Sequence, residues 1–278
     1  MVLKPWHRDN ISGMITRLIK IIRWLSLDIT AGAILVSMLF CQELNAQYSW
    51  QEMTLLGLSV WIIYTIDHVL DGRKSDNGLL SERRMFHRSN QQLFVILVGM
   101  AMVCAIALLF YVSKELFVLG TGLTILSSMY FLFGAKVPAI KEFSGALIYA
   151  FGVCLIPFMS TVKATLFPMG LLFLLASLNL VLFSYLDRYV DKKEAMSSFT
   201  TELGVRYTRT TIIVLICALT IGVCCFILFG GSIVLTVFFG AGLLIHLLIF
   251  LNSWFHDFER FKLFGDLTFV LSGVLLLV

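Results

Sequence analysis

The fold class that the sequence predicts is an all-α integral membrane protein, with nine transmembrane helices in one bundle. Three observations predict it. Of 278 residues, 59% are hydrophobic and only 14% are charged, more apolar surface than a water-soluble domain of this length hides. Apolar stretches near the roughly 20 residues that cross a bilayer as a helix recur along the chain. The 21 Lys and Arg residues gather in alternate loops, as the positive-inside rule requires of a multi-pass protein.

In chain order, the spans are expected at 22–42, 52–70, 91–112, 116–133, 142–161, 166–186, 211–229, 232–251 and 263–278. The whole chain, 1–278, reads as a single domain without linker or low-complexity segment. Residues 1–21 are expected to form an interfacial helix. Ile11, Met14, Ile15, Leu18 and Ile22 follow helical spacing there, with Arg17, Lys20 and Arg23 interleaved. The segment lacks the short apolar core and small-residue site of a cleavable signal.

Charge sets the orientation. Basic residues lie in the N-terminal segment (Lys4, Arg8, Arg17, Lys20, Arg23) and after the second span (Arg73, Lys74, Arg83, Arg84, Arg88). Others follow the fourth span (Lys136, Lys141), the sixth (Arg188, Lys192, Lys193, Arg206, Arg209) and the eighth (Arg260, Lys262). Only Lys114 and Lys163 fall on the opposite side. The N-terminus is therefore expected in the cytoplasm and the C-terminus outside, in an inner or plasma membrane. Six cysteines and five histidines show no metal-ligand spacing, and nothing in the chain calls for a nucleic acid.

The second span ends in "YTIDHVLDGRK" (64–74) and the sixth in "YLDRYVDKKE" (185–194). Each carries Asp-x-x-x-Asp followed by bases, and residues four apart share a helix face. Asp67 with Asp71, and Asp187 with Asp191, thus make two carboxylate pairs, both expected at the cytoplasmic surface. One such pair alone reads as an ordinary solvated helix end. Two copies on the same side, in a chain with 17 acidic residues, are harder to explain without a cation, since four converging carboxylates repel and lose hydration near a membrane. Mg²⁺ takes a few carboxylates together with water and phosphate oxygens. Two opposed acidic pairs with basic loops nearby are therefore suited to a diphosphate held through Mg²⁺.

With these motifs in view, the chain resembles the UbiA superfamily of intramembrane prenyltransferases. The likeness runs from Arg23 to the ninth span. It includes "YFLFGAKVPAIKEFSGALIYAFG" (130–152), with Tyr130, Lys136, Pro138 and Lys141, and "SFTTELG" (198–204), in the place of a T-L-x-x-x-x-G segment. The chain departs from the family pattern at Ile63, where Asn is common, and lacks the Arg-Pro pair that often follows the first motif. Ala195 and Ser198 also stand where Gly and Thr are frequent.

The resemblance implies nine helices and transfer of a prenyl group from an allylic diphosphate to an acceptor, usually an aromatic ring of the quinone-precursor type. It implies Mg²⁺ on Asp67, Asp71, Asp187 and Asp191, which are the catalytic and metal-binding residues. Arg73, Lys74, Lys136, Arg188 and Lys192 are the expected contacts of the diphosphate, and Tyr130 of diphosphate or acceptor. Asp28, about five residues into the first span, is either an acceptor contact or paired with Arg23. Asn179, two turns before Asp187, either faces the same cavity or joins two helices. His68 points away from the Asp67–Asp71 face, and His246 and Asp266 receive no role. The alternatives are a cyclase or a transferase with a non-aromatic acceptor, and a non-catalytic lipid-binding or transport protein. Against transport, the acids cluster at one surface instead of the bilayer midplane.

Overall fold

The computed structural model describes residues 17–74, 81–133 and 138–277. Among these the chain is helical throughout, without strands. It begins with α1 (Arg17–Trp24), which meets α2 (Leu27–Glu43) at a bend of 69°. The bend is made at Ser26, buried and left-handed with φ 56°. α3 (Trp50–Lys74) is followed by a short helix, α4 (Glu82–Ser89), and by α5 (Gln91–Leu108) and α6 (Lys114–Phe133). Then come α7 (Pro138–Ser160), α8 (Val162–Lys193), α9 (Phe199–Leu228) and α10 (Ile233–Leu251). A 3₁₀ turn (Ser253–Glu259) leads into α11 (Arg260–Val270) and α12 (Ser272–Leu275).

Six helices are long and apolar enough to cross a membrane, among the described residues, and seven if the bent α1–α2 pair counts as one span. Of the nine expected spans, the other two fall on α6 and on α11–α12, and the latter is broken at Leu271 instead of running straight through. Of the expected interfacial helix, residues 1–16 lie outside the described residues.

α8 forms the centre of the bundle, packed most extensively against α7 and α9. Leu171, Leu175, Leu178 and Leu182 are buried along one face at helical spacing, with Leu172 and Val181 beside them. α2 adds Ala33, Val36, Leu39 and Phe40, and Phe238 and Phe239 enter from α10. On the outside, α5 exposes Val95, Ile96, Met100 and Val103. Such a surface needs lipid, because water would not tolerate so continuous an apolar face.

Two helices outrun the spans read from the sequence. α8 continues past 186 to Lys193, so its last two turns project Asp187 and Asp191 from the same rigid rod. α9 starts at Phe199, not 211, behind a cap in which the Ser198 N–H donates to Thr201 Oγ1 at 2.7 Å. It is interrupted at Gly204, whose φ of 85° a residue with a side chain rarely adopts. Apolar windows end where polarity rises, but backbone hydrogen bonding does not.

Candidate active site

A cavity of about 880 Å³ opens among α2, α3, α7, α8 and α11. Asp67 and Asp71 reach it from α3, and Asp187 and Asp191 from α8. The i, i+4 spacing puts both members of each pair on the inward face, and the packing of the bundle sets the pairs on the same cavity. Asp71 and Asp191 are buried, while Asp67 and Asp187 are half-buried. Asp28, Tyr130 and Asn179 line the cavity too.

Basic side chains meet the acids. Lys141 Nζ lies 3.7 Å from Asp67 Oδ1. Lys262 Nζ lies 2.9 Å from Asp187 Oδ2. Arg84 is 3.6 Å from Asp191 Oδ1 and also forms an ion pair with Glu194. Burial strengthens such pairs by removing the competing water, at the cost of desolvating both charges. The site is therefore a set of carboxylates, Asp67, Asp187 and Asp191 each within reach of a cation, on a cavity whose other lining is mostly apolar.

Not every expected contact arrives. Arg188 is half-buried between the rings of Tyr185 and Tyr189, 4.7 and 4.4 Å from their centroids, and donates to the Tyr185 carbonyl at 2.6 Å. Lys192 is exposed. Neither lines the cavity: each is turned about 100° around α8 from the Asp it follows, on the side away from the cavity. Lys136 lies outside the described residues, as do the side chains of Arg73 and Lys74. Sequence alone suggests no role in the site for Lys262; it marks Arg84 only as a neighbour of the first motif, and Lys141 as the second basic residue of the 130–152 stretch. No local pattern could pair Lys262 with Asp187, 75 positions earlier, though its place in a basic loop on the same side was a usable signal.

Asp28 Oδ1 accepts from the Ile29 N–H at 3.0 Å and faces the cavity. Asn179 both lines the cavity and bonds to two other helices. His68 borders the cavity as well, but its ring packs against His87 at 5.1 Å and against Tyr64. His87, on α4 and outside the spans, has its pKa lowered by burial and by the charge of Arg83, against the pull of a hydrogen bond to the Arg83 carbonyl.

Among the described residues, no three His, Cys, Asp or Glu side chains converge closely enough to hold one ion by themselves. Each Asp pair can supply one or two hard oxygen ligands. The donor set fits a cation such as Mg²⁺ that keeps most of its coordination for water or a phosphate-bearing molecule, and not a fully protein-enclosed metal.

The described fold is shared with UbiA homologues. A UbiA homologue from Aeropyrum pernix K1, solved in its apo form, matches 89% of this chain and 96% of its own at 11% identity, with a TM-score of 0.68. One from Archaeoglobus fulgidus, bound to GPP and Mg²⁺, matches 92% of this chain and 99% of its own at 16% identity, with a TM-score of 0.62. The same homologue bound to DMAPP and Mg²⁺ matches at 17% identity over the same shares, with a TM-score of 0.59. No family model and no curated protein matches the chain. At such low identities the likeness is one of fold.

Proposed function

We propose that this protein is an intramembrane prenyltransferase of the UbiA superfamily. It transfers a prenyl group from an allylic diphosphate to a lipophilic acceptor, an aromatic quinone-type precursor, within a single membrane domain of nine spans whose site faces the cytoplasm. The observation that carries the reading is the meeting of two Asp-x-x-x-Asp pairs, from α3 and α8, on one cavity with Lys141, Lys262 and Arg84. The diphosphate and Mg²⁺ found with the Archaeoglobus homologue support it.

Asp67 and Asp71 on one side, and Asp187 and Asp191 on the other, are the residues that hold Mg²⁺. When bound, the metal stabilises negative charge on the departing diphosphate. Lys141 and Lys262 each sit against one member of a pair, so a diphosphate there finds ammonium groups already in place for its oxygens. Desolvated charges act more strongly on the leaving group than they would in water. Deeper in, Leu56, Val60, Leu123, Ala146, Ile148 and Leu180 line the cavity and give a prenyl tail an apolar bed. Tyr64, Tyr130 and Tyr149 line the cavity as well, aromatic rings of the kind that attract an allylic cation.

The test is diphosphate release by the purified protein from geranyl, farnesyl and longer allylic diphosphates, with and without Mg²⁺, across a panel of hydroxybenzoates and hydroquinones. Release that needs both the metal and one acceptor is expected. Acceptor-independent release would redirect the reading to a cyclase, and no release from folded protein would end the transferase reading.

A further inference from the structure

The acids and bases at the mouth of the cavity leave one polar group unused. Asp266 on α11 and Asn179 on α8 line the cavity, and His246 on α10 lies behind them with no exposed surface. His246 Nδ1 is 2.7 Å from the Gly242 carbonyl oxygen, and its Nε2 is 3.0 Å from Asn179 Oδ1. Asn179 Nδ2 donates to Asp266 Oδ1 at 3.4 Å. Two glycines make room for this chain of contacts. A Cβ on Gly265 would stand 2.4 Å from Asn179 Oδ1, and one on Gly242 would stand 2.9 Å from Leu175 Cδ2. Three helices thus approach one another where three polar side chains meet, in the middle of an otherwise leucine- and phenylalanine-filled core.

The atoms fix how many protons the chain carries. A carbonyl only accepts, so His246 Nδ1 bears hydrogen. The Asn179 amide offers a donor at one end and an acceptor at the other. With Oδ1 toward His246, Nε2 must be protonated too, and the imidazolium is balanced by an Asp266 carboxylate that accepts from Nδ2. With the amide turned over, an exchange of two atoms of nearly equal size, a neutral imidazole accepts from the amide and Asp266 must donate as a carboxylic acid. Both arrangements are neutral overall, and both contain one proton shared between His246 and Asp266. Asp28 on α2, Arg23 at the end of α1, Arg83 on α4, Tyr64 on α3 and Tyr149 on α7 are other titratable groups within electrostatic reach of Asp266.

We propose that Asp266 is the catalytic proton acceptor of prenyl transfer, with Asn179 and His246 as positioning residues that hold its carboxylate and share its proton. This rests on the transferase reading. The acceptor's nucleophilic oxygen or ring carbon bonds to C1 of the allylic group as the C1–O bond to diphosphate breaks, and that bond's electron pair leaves with diphosphate. The proton lost from the acceptor's O–H or C–H passes to Asp266 and from there to water at the cavity mouth. A carboxylate away from water stays charged only if hydrogen bonds and a counter-charge replace its hydration; the arrangement with a His246 imidazolium supplies both through Asn179, and it is the one in which Asp266 can take up the proton.

The test uses the full chain in lipid nanodiscs with geranyl diphosphate, Mg²⁺ and the same phenolic panel. Asp266→Asn is expected to lower kcat for transfer by at least about 100-fold, the usual span of a general base, while geranyl diphosphate binding stays within about twofold. Asp266→Glu recovers part of the rate. His246→Gln, which still hydrogen-bonds, keeps more of kcat than His246→Leu. Transfer by Asp266→Asn within about threefold of wild type overturns the proposal, and so does a rate loss matched by an equal loss of donor binding.

Proton sharing is read without turnover, by NMR of protein carrying ¹⁵N-histidine and ¹³C-carboxyl aspartate. One titration midpoint common to His246 Nε2 and the Asp266 carboxyl, absent from the histidine signal of Asp266→Asn, is expected. Separate midpoints, or a histidine titration that survives the substitution, overturn the sharing. Wild-type protein that neither binds geranyl diphosphate nor transfers it ends the transferase reading instead, and the NMR result then decides the shared proton alone.

Discussion

At Asp187 the carboxylate sits 2.9 Å from the Lys262 ammonium, so its removal is a change of charge in a mouth already supplied with cations. Asp187→Asn preserves shape and keeps one oxygen, yet it weakens both the grip on a divalent cation and the placement of Lys262. Turnover is expected to fall at least about tenfold, with expression, membrane insertion and thermal unfolding near wild type. Steady-state diphosphate release, set beside a melting curve, checks both halves, and near-normal turnover would remove Asp187 from the mechanism. The two acid pairs were legible in the sequence because helical spacing is a local property. Their cations were not, since Lys262 meets Asp187 only after α11 folds back onto α8. Adjacency in sequence was a poor guide, as Arg188 and Lys192 follow their aspartates directly yet miss the cavity. The link between Asp266 and His246 was hidden for the same reason, since it runs through Asn179, on a third helix.

Among the elements, α4 was the one without a signal. Eight residues, rich in charge and lying between two apolar spans, read as a loop, although Arg84 and His87 are its buried face. What anchors it is tertiary. Arg84 reaches Asp191 and Glu194 at the end of α8, the Ser81 N–H donates to Glu194, and Phe86 packs against Trp24 and Phe94. Glu194 is only 3% exposed, so Arg84→Leu leaves a buried carboxylate without its main counter-charge. That loss is expected to cost about 3–5 kcal/mol locally, read as loss of amide hydrogen-exchange protection in α4. The double variant Arg84→Leu/Glu194→Leu is expected to recover a large part of it, because the more deeply buried of Arg84's two carboxylate partners is then gone and only Asp191 has lost its contact with Arg84. Equal protection loss in the single and double variants would show that the ion pair does not dock α4. The long helices were easier to foresee, since lipid imposes continuous apolar runs on them. Their ends were not, because α8 and α9 stay helical through polar turns that a hydropathy window discards.

For the molecule as a whole, the proposed chemistry and the topology constrain each other. Both acid pairs lie on one cavity, so the end of α3 and the end of α8 share a side of the membrane. From the end of α3 the chain passes through α5, α6, α7 and α8 before it returns to that cavity, an even number of crossings only if α6 spans as its neighbours do. Continuing through α9 and α10 brings Lys262 to the same mouth, so those two helices must also cross as a pair. Lys262 lies in the first turn of α11, which with α12 is only slightly shorter than a straight span and is broken from it at Leu271. Whether this pair crosses fixes the side of the C-terminus and separates nine spans from eight. The small basic count on the far side, Lys114 and Lys163, favours a cytoplasmic mouth. Fusions that end in the 3₁₀ turn near Ser253 are therefore expected to be active with a cytoplasmic fluorescent reporter and inactive with an alkaline phosphatase, which needs export. Fusions at Val278 should show the reverse. Fluorescence at both positions would mean that α11 and α12 dip into the membrane and return, leaving eight crossings around the same cavity. Phosphatase activity near Ser253 would place the acid pairs on the outer face and invert the orientation.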